Sequence, residues 1–265
     1  MRFQLHLEVL EKNTLISFNY HYALSAAIYK ILERADSDYA DFLHEKDYSF
    51  QGKKFKFFTF SDIRVPKGYW QGMGDRMLIK SRTATLNVSF YMDQAAENFV
   101  MGLFKDQIIE IADRKTKGKF LVKQVESLSQ DFSSASVQLR PLSPLVVARK
   151  NPERRSEDYL HPQDPDFEKF FWDNLVSKFV AVKTFKKEAF DPGIINEKPN
   201  LKLFNSHKIK SKLRRIKEGS PSMTQVRGYQ GFGLELSAPR ELIELGFYAG
   251  FGKLNAMGFG MMGVM

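Results

Sequence analysis

Residues 2–10 read RFQLHLEVL, and residues 21–35 read HYALSAAIYKILERA. The first stretch alternates apolar and polar side chains with period two, which predicts a β-strand. The second places four aliphatic side chains on one stripe, which predicts an amphipathic helix. These four are Leu24, Ile28, Ile31 and Leu32. The chain therefore begins with a strand followed by a helix.

The elements that follow extend this beginning into a repeated unit. The first half continues with strand-like runs at 55–65 and 77–91, a helix over 93–104, and strand-like residues at 107–113 and 119–128. After a polar stretch, the second half has a strand at 137–148, a helix over 166–181, a basic segment, a strand at 231–237 and a helix that begins near Pro239. The order predicts an α+β fold of two tandem ferredoxin-like (RRM-like, βαββαβ) domains with antiparallel sheets, at residues 1–132 and 133–265.

Composition excludes several classes of protein. The chain has 265 residues, no cysteine and a formal net charge of +9. The absence of cysteine excludes a disulfide framework, a cysteine-based zinc site and a thiol nucleophile. No apolar stretch reaches the roughly 20 residues of a membrane-spanning helix, and Glu8 and Glu11 interrupt the apolar run of a signal peptide. We therefore expect a soluble, cytoplasmic protein that does not bind membranes.

Most of the net charge lies in one segment, residues 201–227, which we call the basic strip. It holds eight Lys and Arg residues and one acid, so its net charge is +7. The alternation from Lys208 to Arg214 predicts a strand with four cations on one face, a spacing that suits the phosphates of a polyanion. The alternative is a solvated edge strand whose lysines block aggregation. The predicted RNA contacts are Lys208, Lys210, Lys212, Arg214, Arg215, Lys217 and Arg227.

The C-terminal end is rich in glycine, and residues 250–260 read GFGKLNAMGFG. Glycine permits positive φ and the close approach of a phosphate or of another backbone. A dinucleotide fingerprint would need glycine where Asn255 stands, and the Gly-Lys-Ser/Thr of an NTPase loop is absent, so a nucleotide-utilising enzyme is a remote alternative. The structural alternative is a helix C-cap followed by a bulged terminal strand. This alternative explains either GFG alone, but it explains two copies less well. The predicted RNA contacts here are Gly250, Gly252, Lys253, Gly258 and Gly260.

Two Gly-h-Gly elements (h, apolar) five residues apart, after the last helix of a basic double ferredoxin-like chain, resemble the signature of the CRISPR RNA-processing endoribonucleases. Four further segments have the order and spacing of that family: FNYHYALSAAIYKIL (18–32), FLHE (42–45), KFFTFS (56–61) and LRPLSPLVV (139–147). The resemblance covers nearly the whole chain. It implies cleavage of CRISPR precursor RNA within its repeats, with no metal and no cofactor.

Metal-free RNA cleavage uses the 2′-hydroxyl of the substrate as nucleophile and leaves a 2′,3′-cyclic phosphate and a 5′-hydroxyl. It needs a base for the 2′-hydroxyl, an acid for the leaving 5′-oxygen, and cations for the phosphorane. Histidine suits the acid and base roles because its ordinary pKa of about 6.5 lies near neutrality. The candidates are His6, His21, His44, His161 and His207.

His44 is favoured because it follows the first helix in a loop and is trailed by lysines such as Lys56. The resemblance to archaeal members of the family implies that His44 is the general acid or base. It also implies that Tyr29 is its partner at the 2′-hydroxyl and that Lys56 stabilises the phosphorane. The alternatives are a helix-face aromatic at Tyr29 and an exposed strand lysine at Lys56, with His21 as the second catalytic candidate.

We therefore predict a metal-independent endoribonuclease whose partners are the precursor and mature CRISPR RNAs. A multi-subunit effector complex is a further expected partner, and the expected oligomeric state is a monomer or a homodimer. The alternative function is a non-catalytic subunit that binds repeat RNA in an effector complex.

Overall fold

The structure is a computed structural model that describes residues 1–43, 48–134, 136–153, 156–196, 199–218 and 220–265. The predicted catalytic residue His44 lies outside these ranges. Within the described residues, no helix combines the length and the apolar character that crossing a bilayer requires.

The first half contains ten strands and three helices among its described residues. They are β1 (Arg2–Val9), β2 (Thr14–Ser17), α1 (His21–Ala35), α2 (Ser37–Asp41), β3 (Tyr48–Phe50), β4 (Lys53–Phe55), β5 (Phe58–Phe60), β6 (Trp70–Met73), β7 (Arg76–Ile79), β8 (Thr83–Phe90), α3 (Asp93–Lys105), β9 (Ile108–Ala112) and β10 (Lys117–Ser127).

The main sheet of the first half has the strand order β5-β8-β1-β10-β9, and every pairing is antiparallel. Along β1, the alternating side chains Phe3, Leu5, Leu7 and Val9 are buried, as the period-two pattern predicts. Helices α1 and α3 pack against each other. Gly102 of α3 allows this because a Cβ there would collide with the backbone of Ile31.

The second half has eight strands and three helices in its described part. They are β11 (Val137–Pro141), β12 (Ala148–Lys150), β13 (Glu157–Tyr159), α4 (Phe167–Lys186), α5 (Gly193–Asn196), β14 (Asn200–Phe204), β15 (Lys210–Ile216), β16 (Thr224–Gln230), β17 (Gly233–Ser237), α6 (Arg240–Ala249) and β18 (Met262–Val264), with short 3-10 helices at Ser206–Lys208 and Asn255–Met257.

The main sheet of the second half has the order β14-β17-β11-β18 and is also antiparallel. Counting only the strands of each βαββαβ unit, both main sheets have the order fourth-first-third-second, which confirms the predicted tandem ferredoxin-like fold. The smaller sheets β12-β13 and β15-β16 are insertions in the second unit. The predicted division at residues 132 and 133 falls between β10 and β11 and stays a prediction.

Two predicted strands are divided in the structure. The run at 77–91 contains β7, in the small sheet β2-β7-β6, and β8, in the main sheet. The run at 137–148 ends at Pro141, and β12 begins only at Ala148. Proline has no N–H to donate to a sheet, so Pro141 and Pro144 interrupt this run. The periodicity correctly predicts extended backbone in both runs, but it does not predict where the chain passes from one sheet to another.

The two halves share one continuous cluster of buried apolar residues. Arg2 of β1 is buried at their junction, where its guanidinium lies 3.4 Å from the ring centroid of Phe247 and donates to the carbonyls of Phe247 and Met262. Burial lowers the pKa of Arg2 to about 9. The two sheets therefore belong to one packed structure.

Candidate functional site

The glycine-rich segment 250–260 lies, mostly buried, between the two halves. The backbone conformation and the lack of space explain why its four GFG positions are glycine. All four GFG glycines have positive φ, with Gly258 at +78° and Gly260 at +73°. A Cβ at Gly258 would overlap the ring of Phe60 and lie 2.9 Å from Cδ2 of His21. A Cβ at Gly260 would overlap the carbonyl oxygen of Phe251. Only glycine satisfies both the conformation and the space at these positions.

The amides of three of the four GFG glycines already donate to acceptors within the protein. The amide of Gly250 donates to Gly246, that of Gly258 to Asn255, and that of Gly260 to Pro144, each at 2.9 Å. A phosphate cradle would need such amides without a protein acceptor. The geometry therefore favours a packing role for the glycines, and their predicted contact with RNA stays a prediction.

A buried lysine organises the same segment. Nζ of Lys178, on α4, donates to the carbonyls of Gly250 at 2.6 Å and Gly252 at 2.7 Å, and to Oδ1 of Asn255 at 2.6 Å. Burial lowers the pKa of Lys178 to about 7. Sequence analysis missed this residue, although its position in the buried stripe of α4, three residues after Leu175, was the available signal.

The glycine-rich segment also docks onto the first half. The hydroxyl of Ser25, on α1, donates to the carbonyl of Ala256 at 2.7 Å, and that of Thr59, on β5, donates to the carbonyl of Phe259 at 3.0 Å. The segment is thus held by α4 from one side and by α1 and β5 from the other.

The alternative catalytic histidine, His21, lies inside this junction. Its side chain is 3% exposed, and Nε2 lies 2.8 Å from Oδ1 of Asp62. Burial alone would raise the pKa of Asp62, but the hydrogen bond and charge of His21, together with the charges of Arg214 and Lys212, hold that pKa below its ordinary value. The imidazole is closed off from solvent, so this geometry favours a structural role for His21.

A cleft of about 700 Å³ opens beside the glycine-rich segment, between strand β4 of the first half and α4, β12 and residues 252–257 of the second. We call it the basic cleft because cations from both halves line it. They are Lys53, Lys54, Lys56, Arg149, Lys150, Lys178 and Lys253. Lys253 pairs with Glu157, and Arg149 pairs with Asp166. The excess of positive charge suits a polyanion.

Two of the three predicted catalytic residues are described: Tyr29 lies on α1, and Lys56 lies in the short connection between β4 and β5. Nζ of Lys56, which lines the basic cleft, donates to the carbonyl of Leu43, the residue that precedes His44 in sequence. The ring of Tyr29, on α1, meets Phe58 edge-on at 5.5 Å, two residues after Lys56. His44 itself lies outside the described residues, so the assembly of the three groups stays a prediction.

Two further phenols lie on either side of residues 44–47 in sequence. The hydroxyls of Tyr39 and Tyr48 are 3.3 Å apart, and both residues are buried. Burial raises the pKa of both phenols. Both phenols are therefore neutral near pH 7, so they can donate hydrogen bonds but cannot act as bases.

The basic strip differs from the predicted single strand. Asn205 has a positive φ of 54° and begins a 3-10 helix that contains Lys208, so the strand β15 starts only at Lys210. The prediction of four cations on one strand face is therefore wrong, and three share that face. They are Lys210, Lys212 and Arg214.

The hairpin β15-β16 directs two of those cations, Lys212 and Arg214, toward the body of the protein, whereas Lys210 is exposed. The cross-strand partners of Lys212 and Arg214 are Gly228 and Val226, which are buried. The charges of both cations also lower the pKa of Asp62 in the first half. Leu213, on the opposite face, is 47% exposed. A solvated edge strand would direct its lysines outward and its leucine inward, so this orientation favours polyanion binding at the junction.

The remaining cations of the strip lie on the outer face and at the turn. Arg215 pairs with Glu218 at 2.9 Å, and Arg227 approaches the hydroxyl of Ser211 at 3.5 Å. Lys217 follows the strand with a positive φ of 55°. The strip thus forms two cationic surfaces of one hairpin, which the alternation alone did not distinguish.

Comparison with known families identifies the relatives of this chain. The family model described as CRISPR associated protein Cas6, C-terminal, matches residues 124–264. The model described as CRISPR-associated protein Cas6, N-terminal, matches residues 15–126.

The curated relatives include two proteins that match over nearly their whole length. The CRISPR-associated endoribonuclease Cas6 1 of Methanocaldococcus jannaschii is 30% identical over 99% of this chain and 92% of its own. The CRISPR-associated endoribonuclease Cas6 of Pyrococcus furiosus is 24% identical over 100% of this chain and 90% of its own.

Solved structures share the fold. A Cas6-related protein from Pyrococcus furiosus superimposes with a TM-score of 0.80 at 21% identity, covering 100% of this chain and 98% of its own. An RAMP protein that binds different RNA substrates superimposes with a TM-score of 0.77 at 21% identity, covering 100% of this chain and 99% of its own.

Proposed function

The chain belongs to the Cas6 family of CRISPR-associated endoribonucleases, and from this premise we propose that it cleaves CRISPR precursor RNA within the repeats without a metal ion. The observation that carries the proposal is the position of Lys56. Its ammonium lines a cleft with six other lysines and arginines and donates to the carbonyl just before His44 in sequence. A developing phosphorane in this cleft would have cations beside it and a histidine nearby in the chain.

The proposed reaction forms one bond to phosphorus and breaks another. The 2′-oxygen attacks the adjacent phosphorus while a base removes its proton, and the bond from phosphorus to the 5′-oxygen breaks as an acid protonates that oxygen. We assign His44 as acid or base, Tyr29 as its partner at the 2′-hydroxyl, and Lys56 as the cation that stabilises the phosphorane. The products are a 2′,3′-cyclic phosphate and a 5′-hydroxyl.

We expect a synthetic repeat RNA to be cut at one position at the same rate in buffer and in excess EDTA, because the reaction needs only groups of the RNA and of the protein. Denaturing gels would give the rate and the position, and treatment of the products with phosphatase and kinase would identify their ends. Loss of cleavage in EDTA, or a product with a 5′-phosphate, would contradict the mechanism. Tight binding with no cleavage over long incubation would instead indicate a non-catalytic RNA-binding subunit.

Binding at the hairpin β15-β16 has its own test. We expect Lys210→Glu with Lys212→Glu to weaken binding of all RNA sequences and to lower the slope of log Kd against log salt by about 1.4, or about 0.7 for each lost phosphate contact. Filter binding at several salt concentrations measures both effects. The matched control is Lys12→Glu with Lys105→Glu, which reverses two exposed lysines of the first half. Equal slopes for the two double variants would show that this face of the hairpin does not contact RNA.

A further inference from the structure

A second cavity, of about 560 Å³, lies where the turn of the hairpin β15-β16 meets the first half. We call it the hairpin cavity. One wall is the beginning of α1, with Tyr22 and Ala23, and another is the turn between β9 and β10, with Arg114. Its size is in the range of small-ligand pockets, about 300–1,000 Å³.

A polar triangle holds this cavity together. Oδ1 of Asn19 accepts from the amide of Arg215 at 3.1 Å, and Nδ2 of Asn19 donates to Glu218 at 3.0 Å. Arg215 closes the triangle through its salt bridge to Glu218 at 2.9 Å. The hairpin is therefore attached to the first half at this point, and the cavity has walls from both halves.

The charge in the hairpin cavity is unbalanced. Its two carboxylates already have partners, since Glu218 pairs with Arg215 and Asp113 pairs with Arg76 at 2.6 Å. Within the part of the chain that the structure describes, Arg114 and Lys217 have no carboxylate within salt-bridge distance. Two cations without counter-ions at one cavity favour an anionic ligand, and the start of α1, which has no side-chain cap, adds partial positive charge.

An aromatic ring lies beside these cations. Tyr22 is 40% exposed, although most large apolar side chains of α1 are buried, and it lines the hairpin cavity. Exposed aromatic rings next to cations are the usual means by which proteins bind an unpaired nucleotide, because the ring stacks on the base while the cations contact the phosphates.

We propose that the hairpin cavity binds one unpaired nucleotide of the RNA, outside the basic cleft, with Tyr22 stacked on its base and Arg114 and Lys217 at its phosphates. The proposal rests on the proposed function. Tyr22 and Tyr29 are seven residues apart on α1, so the cavity lies about 10 Å along the helix from the predicted cleavage residues. One RNA strand that follows α1 reaches both.

The test uses a repeat RNA with a 2′-deoxy substitution at the cleavage nucleotide, so that it binds but is not cut. We expect Tyr22→Ala to raise Kd about tenfold and Tyr22→Phe to change it less than twofold, because phenylalanine keeps the stacking face. In a scan of abasic substitutions along the RNA, one position should raise the Kd of the parent protein about tenfold. The same substitution should leave the Kd of Tyr22→Ala unchanged. Tyr69→Ala, at a tyrosine that is 58% exposed elsewhere on the first half, is the matched control and should bind like the parent.

The outcomes separate this subsite from the proposed function. If the parent protein binds and cuts repeat RNA while Tyr22→Ala matches it at every abasic position, the subsite is overturned and the endoribonuclease remains. If Tyr22→Ala and Tyr69→Ala weaken binding equally, the effect is not specific to the cavity, and the subsite is again overturned. If the parent neither binds nor cuts repeat RNA, the proposed function fails and the subsite fails with it.

Discussion

His44→Ala is expected to cut repeat RNA about 100- to 10,000-fold more slowly than the parent protein, with little change in Kd. The reason is that general acid or base catalysis contributes to the transition state and not to ground-state binding. Lys56→Ala is expected to reduce the rate strongly as well, since it removes a cation that lines the basic cleft. Single-turnover cleavage with saturating protein measures the chemical step separately from binding.

The control for this experiment is another histidine of the first half. His6, on β1, is partly exposed and lies 3.4 Å from Glu126, so His6→Ala should cut at the parent rate. A pH profile adds a second readout, because the rate of the parent should depend on a group that titrates near neutrality and the residual rate of His44→Ala should not. Parent-like cleavage by His44→Ala would refute the assignment, and cleavage lost in His21→Gln but kept in His44→Ala would transfer the role to His21.

Gly260→Ala is expected to lower the free energy of unfolding by about 3–5 kcal/mol, or to prevent folding altogether. The backbone φ of +73° is strained for any L side chain, and the added Cβ would overlap the carbonyl oxygen of Phe251 and lie 2.9 Å from Nδ2 of Asn255. Neither neighbour can move easily, because the first is backbone and Nδ2 donates to the carbonyls of Phe251 and Phe259. Urea unfolding without RNA measures the loss.

Gly74→Ala is the matched control, because Gly74 also has a positive φ, +61°, but a Cβ there would meet nothing within 4 Å. It should cost only the strain of the left-handed conformation, about 1–2 kcal/mol. The difference between the two variants therefore isolates the collision. Equal losses would contradict the packing role, and a Gly260→Ala protein of normal stability but weakened RNA binding would support direct contact between this glycine and phosphate.

Sequence periodicity was sufficient for most of the architecture. The helix expected over 93–104 is α3 at Asp93–Lys105, and the alternation in residues 2–10 is β1. These elements are predictable because each of them buries one face. The apolar residues of that face recur at a regular spacing within the segment itself. Errors occurred where the backbone leaves a pattern, as after Asn205, whose positive φ begins a 3-10 helix that takes Lys208 out of the predicted strand.

The candidate site was predictable in composition but not in arrangement. The concentration of charge in residues 201–227 and of glycine in residues 250–260 is visible in the sequence. The direction in which the hairpin faces is not visible there, because alternation defines two faces without saying which one meets the rest of the protein. Lys178 shows the same limit, since its three acceptors are more than 70 residues away in the chain.

The sequence by itself determined the repeated βαββαβ order, the location of the excess charge and the family resemblance, because each depends on residue types and spacings along the chain. Only the tertiary structure decided that the glycines are packed in the junction, that Lys178 holds their carbonyls, and that cations of both halves line the basic cleft. The physical reason is that these features depend on close contacts between segments far apart in sequence, and such contacts exist only after the two sheets have packed together.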